Sequence, residues 1–299
     1  MHLLLNFCRE NNIAYRENAP LSELSSFKIG GAAALIIMPK TEAELGLLCR
    51  EAYRREVPLE ALGKGSNILF ADKGYSGVLV QPSLRDIMLD GDIIICGAGV
   101  SLSRLCAFAC DNALSGLEFA YGIPGSVGGA VYMNAGAYGG EMRDVVVAVS
   151  HIEPGGKRGE LKDEELDFSY RHSAYSACKN IITMVTLRLK KGSTGAIRAK
   201  MDDYMKRRRD NQPLEYPSAG STFKRPEGAY ASELVDRCGL KGLSVGGAMV
   251  SKKHAGFLIN YDNASAADML ALISQVRDEV KRKTGFCLEC EIKQMGDFK

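Results

Sequence analysis

Apolar and polar positions alternate along this chain with two periods, and the period changes at punctuated points. Residues 1–20 read as an amphipathic opening helix and a loop. Residues 34–38 form a short apolar strand closed by Pro39. Thr41 with Glu44 makes a capping box, after which Leu45, Leu48 and Ala52 recur on one face of a helix to Arg54. Strands at 57–62 and 77–81 complete a β-α-β-loop-β pattern, an α/β unit. Beyond it, 92–96 reads as strand and Ser101 caps a helix to Asn112. Alternation predicts strands at 144–153 and 181–189, with Pro154-Gly155-Gly156 supplying turn chemistry between them. The polar run Lys190-Lys191-Gly192-Ser193-Thr194-Gly195 marks a boundary, and a basic helix containing Lys206-Arg207-Arg208-Arg209 follows. Residues 211–226 are expected to be a long connector without regular structure, a length that points to function. A helix at 229–238 ends at Gly239, and 248–250 and 256–260 read as strands. Ser265 with Asp268 opens a helix whose Met269, Ile273, Val276 and Val280 share a face, and 287–294 closes as a strand.

One stretch fits neither period. From Gly116 to Gly140, glycine recurs at 116, 122, 125, 128, 129, 136, 139 and 140, a density that weakens helix and strand alike. Gly63-Lys64-Gly65-Ser66-Asn67 has the same character and follows a strand. Exposed main-chain N–H groups in such loops form concave nests for anions, so two of them suggest a dinucleotide gripped at its diphosphate. The Rossmann fingerprint is absent, because both Gly63-Lys64-Gly65 and Gly97-Ala98-Gly99 lack the third glycine. No phosphate-binding G-x-x-x-x-G-K-[ST] loop occurs either.

Composition narrows the classes. The 299 residues are 46% hydrophobic and 25% charged, enough for one large domain or several smaller ones. Basic and acidic residues number 38 and 36, for a net charge of +2, which argues against a nucleic-acid binder. The apolar start Leu3-Leu4-Leu5 is too short for a signal-peptide core, and no membrane-spanning run follows. Nine scattered cysteines without framework spacing fit reduced thiols in a cytoplasm. Cys287 and Cys290 lack the further ligands that zinc needs, so no metal site is expected.

The motifs GKGSN, YGIPGSVGGA, MNAGAYGGEM, YRHS, QPLEYPSAGSTFKRP and LECE occur in one order over nearly the whole chain. In this the sequence resembles the UDP-N-acetylenolpyruvoylglucosamine reductase (MurB) family. The resemblance implies an α+β fold, with an FAD-binding part of the vanillyl-alcohol-oxidase (PCMH) type in two subdomains, 1–82 and 83–194. A C-terminal α+β substrate domain at 195–299 would follow. It implies non-covalent FAD, NADPH as hydride donor and UDP-N-acetylglucosamine enolpyruvate as substrate, in a cytoplasmic protein expected to be a monomer. The short passage from Tyr170 to Gly192 matches the compact form of the family, without an inserted tyrosine loop.

The resemblance also implies roles. Arg171 would clamp the substrate carboxylate and stabilise developing negative charge, Glu291 would support the same intermediate as a protonated acid, and Ser221 would deliver the proton to carbon. Strand alternation does not separate Glu291 from Glu289, since residues two apart share a face; only the family motif does. Gly63, Lys64, Gly65, Ser66 and Asn67, with Gly125, Ser126, Gly128 and Gly129, would cradle FAD. Ile123 and Pro124 would give apolar surface to its ring system, and Asn134 and Gly136 would meet it where the loop returns. Tyr170, Lys224 and Arg225 are candidate substrate contacts; Arg225 stands where many relatives have asparagine, and its planar fork suits a diphosphate. Another flavoprotein of the same fold and an inactive nucleotide-sugar binder remain the alternatives.

Overall fold

A computed structural model describes residues 2–298 of the chain. Met1 and Lys299, the outer limits of the first and last expected domains, lie outside the described residues. The chain forms two compact units, each assembled from separated segments: 1–17, 35–64 and 77–206 in the first, 18–34, 65–76 and 207–299 in the second.

The first unit holds two hydrophobic clusters. In one, the helices His2–Glu10 and Glu42–Arg54 place Leu4, Leu5, Leu45, Leu48 and Ala52 against Leu35, Ile37, Val78 and Val80. Thr41 caps the second helix as expected, its hydroxyl accepting the Glu44 N–H at 3.1 Å. Residues 59–61 pair in parallel with 78–80. The other cluster lies on a five-stranded antiparallel sheet ordered Arg158–Lys162, Val146–Ile152, Ile181–Arg188, Ile93–Gly97, Ile87–Asp90. The helices Leu102–Asp111, capped by Ser101, and Val127–Tyr132, capped by Ser126, contribute Leu105, Ala109, Val127 and Val131 to it. Alternation does not announce the strands Arg158–Lys162 and Ile87–Asp90, because they are edge strands with mostly polar or exposed residues.

The second unit is built on a four-stranded sheet ordered Ser218–Ser221, Phe257–Asn260, Ala248–Val250, Ser244–Val245. The helix Ala266–Thr284 lays Met269, Leu272, Ile273, Val276 and Val280 into its core. Ser265 and Asp268 form the expected capping box, and Gly285 ends the helix at φ +79°. Asp72 adds a second cap, accepting the Ala266 and Ala267 N–H groups at 2.8 and 3.1 Å. This cap and the parallel pair 68–70 with 293–295 tie segment 65–76 to the C-terminal region. An expected division at residue 82 therefore differs from the way the contacts group.

Two further expectations are corrected. The connector 211–226 contains the strand Ser218–Ser221, whose small residues hide its strand character but fit beside Phe257–Asn260. The closing strand is shorter than 287–294: only Lys293–Met295 is regular, while Cys290 makes an isolated bridge to Phe223.

Candidate active site

In the first unit the two glycine loops converge. A Cβ on Gly63 would lie 2.9 Å from Ser126 Oγ and 3.8 Å from the Gly129 Cα. Pro124 offers no N–H, and among the described residues no protein acceptor takes the main-chain N–H of Gly125 or Ser126, although Ser126 is buried. Gly129 is exposed and its missing Cβ would meet only Ser126 Oγ, at 3.3 Å. This is a donor set that fits an anionic group such as a diphosphate. Other glycines answer to the chain itself. Gly128 lies against Ala98, where a Cβ would approach to 2.8 Å, and Gly136 lies 2.7 Å from the Gly140 carbonyl in the same sense. Ile123 packs on the core cluster, and Pro124 is exposed.

The loop continues into the second unit. Gly65 adopts φ +61°, and a Cβ there would sit 2.1 Å from the Leu24 carbonyl oxygen, so glycine is obligatory for packing. Lys64 is exposed, and Ser66 accepts the Ser26 hydroxyl through its carbonyl at 3.4 Å. Asn67 donates its amide to the Glu291 carbonyl at 3.1 Å and accepts the Lys293 N–H at 3.0 Å.

Arg171 sits at the tip of a two-residue hairpin. Ser169 and His172 exchange main-chain hydrogen bonds at 3.1 and 3.2 Å, leaving Tyr170 and Arg171 as the turn. Arg171 has φ +57°, a conformation uncommon for a side chain of this size, and its guanidinium lies 5.3 Å from the exposed Tyr170 ring. Side chains brace the hairpin. Ser173, fully buried, donates to the Tyr132 carbonyl at 2.8 Å, and His172 stands between Asp167 at 3.2 Å and the Ser176 hydroxyl at 2.8 Å. The last three have the composition of a hydrolytic triad but not its wiring. The serine meets Nδ1 rather than Nε2, the Asp167 side chain is 74% exposed, and the Ser176 hydroxyl also reaches the Ser173 carbonyl at 2.7 Å.

Asn134, expected at the cofactor, is 0% exposed, donating to the Ser169 carbonyl at 3.0 Å and accepting the Arg143 N–H at 3.0 Å. Sequence reading missed this role because Ser169 lies 35 residues away.

Ser221 and Glu291 come together in the second unit. The Glu291 N–H donates to the Thr222 carbonyl at 2.8 Å and the Lys224 N–H to the Glu289 carbonyl at 2.8 Å, with Phe223 opposite Cys290. Ser221, at the end of its strand, is exposed, and Glu291 is half-buried. Glu289, by contrast, is exposed and paired with the Lys224 ammonium, a solvated ion pair. Arg225 lies over the Tyr230 ring, 4.0 Å from its centre.

Region 33–162 matches the sequence profile of the FAD binding domain family. With the paired glycine loops, this places the chain among FAD-binding oxidoreductases. Region 212–295 matches the UDP-N-acetylenolpyruvoylglucosamine reductase C-terminal domain. The UDP-N-acetylenolpyruvoylglucosamine reductase of Syntrophomonas wolfei is 47% identical over 94% of this chain and 94% of its own length. That of Geobacillus thermodenitrificans is 44% identical over 98% and 96%. The crystal structure of the Thermus caldophilus reductase (MurB) overlays with a TM-score of 0.81 at 35% identity, covering 95% of this chain and 98% of that one. The chain belongs to the UDP-N-acetylenolpyruvoylglucosamine reductase family. The expected α+β fold with an FAD-binding part and a family-specific C-terminal region is borne out.

Proposed function

We propose that this protein reduces UDP-N-acetylglucosamine enolpyruvate to UDP-N-acetylmuramate, with NADPH as electron source, in the synthesis of peptidoglycan. Bound FAD supplies the hydride. Gly63, Lys64, Gly65, Ser66 and Asn67, with Gly125, Ser126, Gly128 and Gly129, would hold its diphosphate region, and Ile123 and Pro124 would give apolar surface to its ring system, without a covalent link.

The observation that carries the catalytic assignment is the ladder joining residues 221–224 to 289–291, which sets Ser221 and Glu291 at neighbouring ends of paired segments. Hydride addition to the vinyl carbon of an enolpyruvyl ether pushes electrons toward its carboxylate. Arg171, a planar fork, suits that carboxylate and the charge developing on it. Glu291 in its protonated form donates to the same oxygens, a role that needs an acid kept neutral near pH 7 by its surroundings. Ser221 then gives its hydroxyl proton to the carbon beside the carboxylate, and recovers one from solvent. Glu289, exposed and paired with Lys224, takes no part. Tyr170, Lys224 and Arg225 contribute to the binding of the nucleotide sugar.

Among the described residues no helix is long and apolar enough to cross a membrane, and all nine cysteines are free. A cytoplasmic monomer is the setting we propose. A division into 1–82, 83–194 and 195–299 is the one we propose for its folding units.

The test is spectroscopic. NADPH should bleach the flavin band of the purified protein, and anaerobic addition of UDP-N-acetylglucosamine enolpyruvate should restore it. A band that returns only with oxygen would overturn the substrate assignment.

A further inference from the structure

We propose that Asn134, together with Ser173, is a positioning residue that sets Arg171 relative to the second glycine loop. The inference rests on the reading of Arg171 as the carboxylate clamp. It starts from a conflict in the geometry: Arg171 needs a fixed guanidinium, yet it stands at the tip of a two-residue turn with φ +57°. A short turn with a bulky residue in that conformation does not hold itself.

Asn134 and Ser173 supply what the turn lacks. Both are fully buried, and each reaches across to the other's segment. Asn134 Nδ2 donates to the Ser169 carbonyl at 3.0 Å, a carbonyl that also accepts the His172 N–H at 3.1 Å. Ser173 Oγ donates to the Tyr132 carbonyl at 2.8 Å. The hairpin is thus fastened immediately before and after its tip, to residues 132 and 134. Tyr132 ends the helix Val127–Tyr132 and Asn134 lies just beyond it, while the helix's other end is the Ser126 cap of the glycine loop. One six-residue helix thus joins the proposed diphosphate cradle at its start to the fastening at its end.

The residue type matches the demand. Asn134 has φ +44°, and its own N–H goes to the Val131 carbonyl. Asparagine tolerates the left-handed region and carries both a donor for Ser169 and an acceptor for the Arg143 N–H. Aspartate keeps the conformation, the size and the acceptor, but it faces the Ser169 carbonyl with a second oxygen and no proton.

Asn134→Asp is therefore the informative change, measured alone and combined with Arg171→Ala. The enzyme is loaded with FAD, reduced with dithionite and mixed anaerobically with UDP-N-acetylglucosamine enolpyruvate. Flavin reoxidation should slow about tenfold to a hundredfold in Asn134→Asp, the scale of an ångström-sized misplacement. Reduction of its flavin by NADPH should keep the wild-type rate, and in the Arg171→Ala background the same change should add nothing. Wild-type reoxidation in Asn134→Asp, equal slowing of flavin reduction, or an undiminished effect without Arg171 would each overturn the inference. If Arg171→Ala alone turns over normally, it is the reading of Arg171 that fails. Should Asn134→Asp purify without flavin, Ser173→Ala replaces it in the cycle under the same criteria.

Discussion

The Arg171 hairpin and the Ser221–Glu291 ladder both present proposed catalytic side chains, and they are built in opposite ways. The hairpin is held by side chains: Asn134, Ser173, His172, Asp167 and Ser176 all converge on four residues of irregular backbone. The ladder is held by main-chain hydrogen bonds from Glu291 to Thr222 and from Lys224 to Glu289, with Asn67 and the exposed Lys224–Glu289 ion pair as side-chain ties. Main-chain bonds survive most substitutions, whereas a side-chain brace disappears with its residue. The hairpin should therefore be the more fragile of the two, and its neighbours the more restricted in residue type.

The largest effects belong to the reacting groups. Ser221→Ala should lower turnover by roughly 10²–10⁴-fold, the usual scale for a general acid, with reduction of the flavin by NADPH intact. Arg171→Ala should cost about 10²–10³-fold through lost charge stabilisation. Stopped-flow measurement of the two half-reactions separates these outcomes, and a Ser221→Ala enzyme with normal turnover would remove Ser221 from the mechanism.

A smaller effect separates two glycines of the loops. Gly65→Ala meets the Leu24 carbonyl and a left-handed backbone, so thermal unfolding should show a loss of about 2 kcal/mol or more. Gly129→Ala meets only a serine hydroxyl inside a helix, where alanine is favoured by about 0.5–1 kcal/mol. The apo-protein should be no less stable, while the affinity for FAD falls. Unchanged FAD binding would mean that Gly129 does not face the cofactor.

Removing one brace from each region sharpens the contrast further. Ser173→Ala removes a buried hydrogen bond to the Tyr132 carbonyl and should cost about 1–3 kcal/mol. Asn67→Ala removes one tie from a ladder that keeps its main-chain bonds, and about 1 kcal/mol is expected. Hydrogen exchange should show faster opening around His172 in the first variant and continued protection of the Glu291 N–H in the second. Equal opening in both would erase the distinction.

The smallest effect is the pH dependence of stability. Burial holds His151 and His254 below their ordinary 6.5, so both are carried neutral in the fold. The unfolded chain takes up these protons first, and stability present above pH 6.5 declines as the pH falls through the folded values. A second decline belongs to carboxylates. Burial would raise Glu118, but the Ser115 hydroxyl, main-chain N–H groups and Lys200 outweigh it and hold it below 4.5. Asp268 is held below 3.8 by the main-chain N–H and hydroxyl of Ser265. Stability from both is present above their ordinary values and lost as the pH falls through the lowered ones. A melting temperature constant from pH 7 to 4 would contradict the histidine assignments, and one that fell no further from pH 4 to 2 would contradict the carboxylate ones.

Much of this was legible in the residues. Thr41, Ser101 and Ser265 announce helix starts because capping is a local exchange within one turn. The apolar strands 93–97 and 181–188 were readable because their burial leaves a run of apolar residues in sequence. The glycine loops were visible as composition, and the motif pattern identified the family and the residues to watch. What the chain could not announce are contacts whose partners are remote. Asn67 reaches Glu291 across 224 residues and Asn134 reaches Ser169 across 35, and nothing local to either asparagine distinguishes a brace from a ligand contact. Likewise Gly65 and Gly129 are alike in sequence; one is required by the Leu24 carbonyl and the other opens to solvent. Sequence determined the local elements, because caps and periodicity act over a few residues. The tertiary structure alone decided which polar side chains are buried braces, because a hydrogen bond's value depends on the partner that folding brings to it.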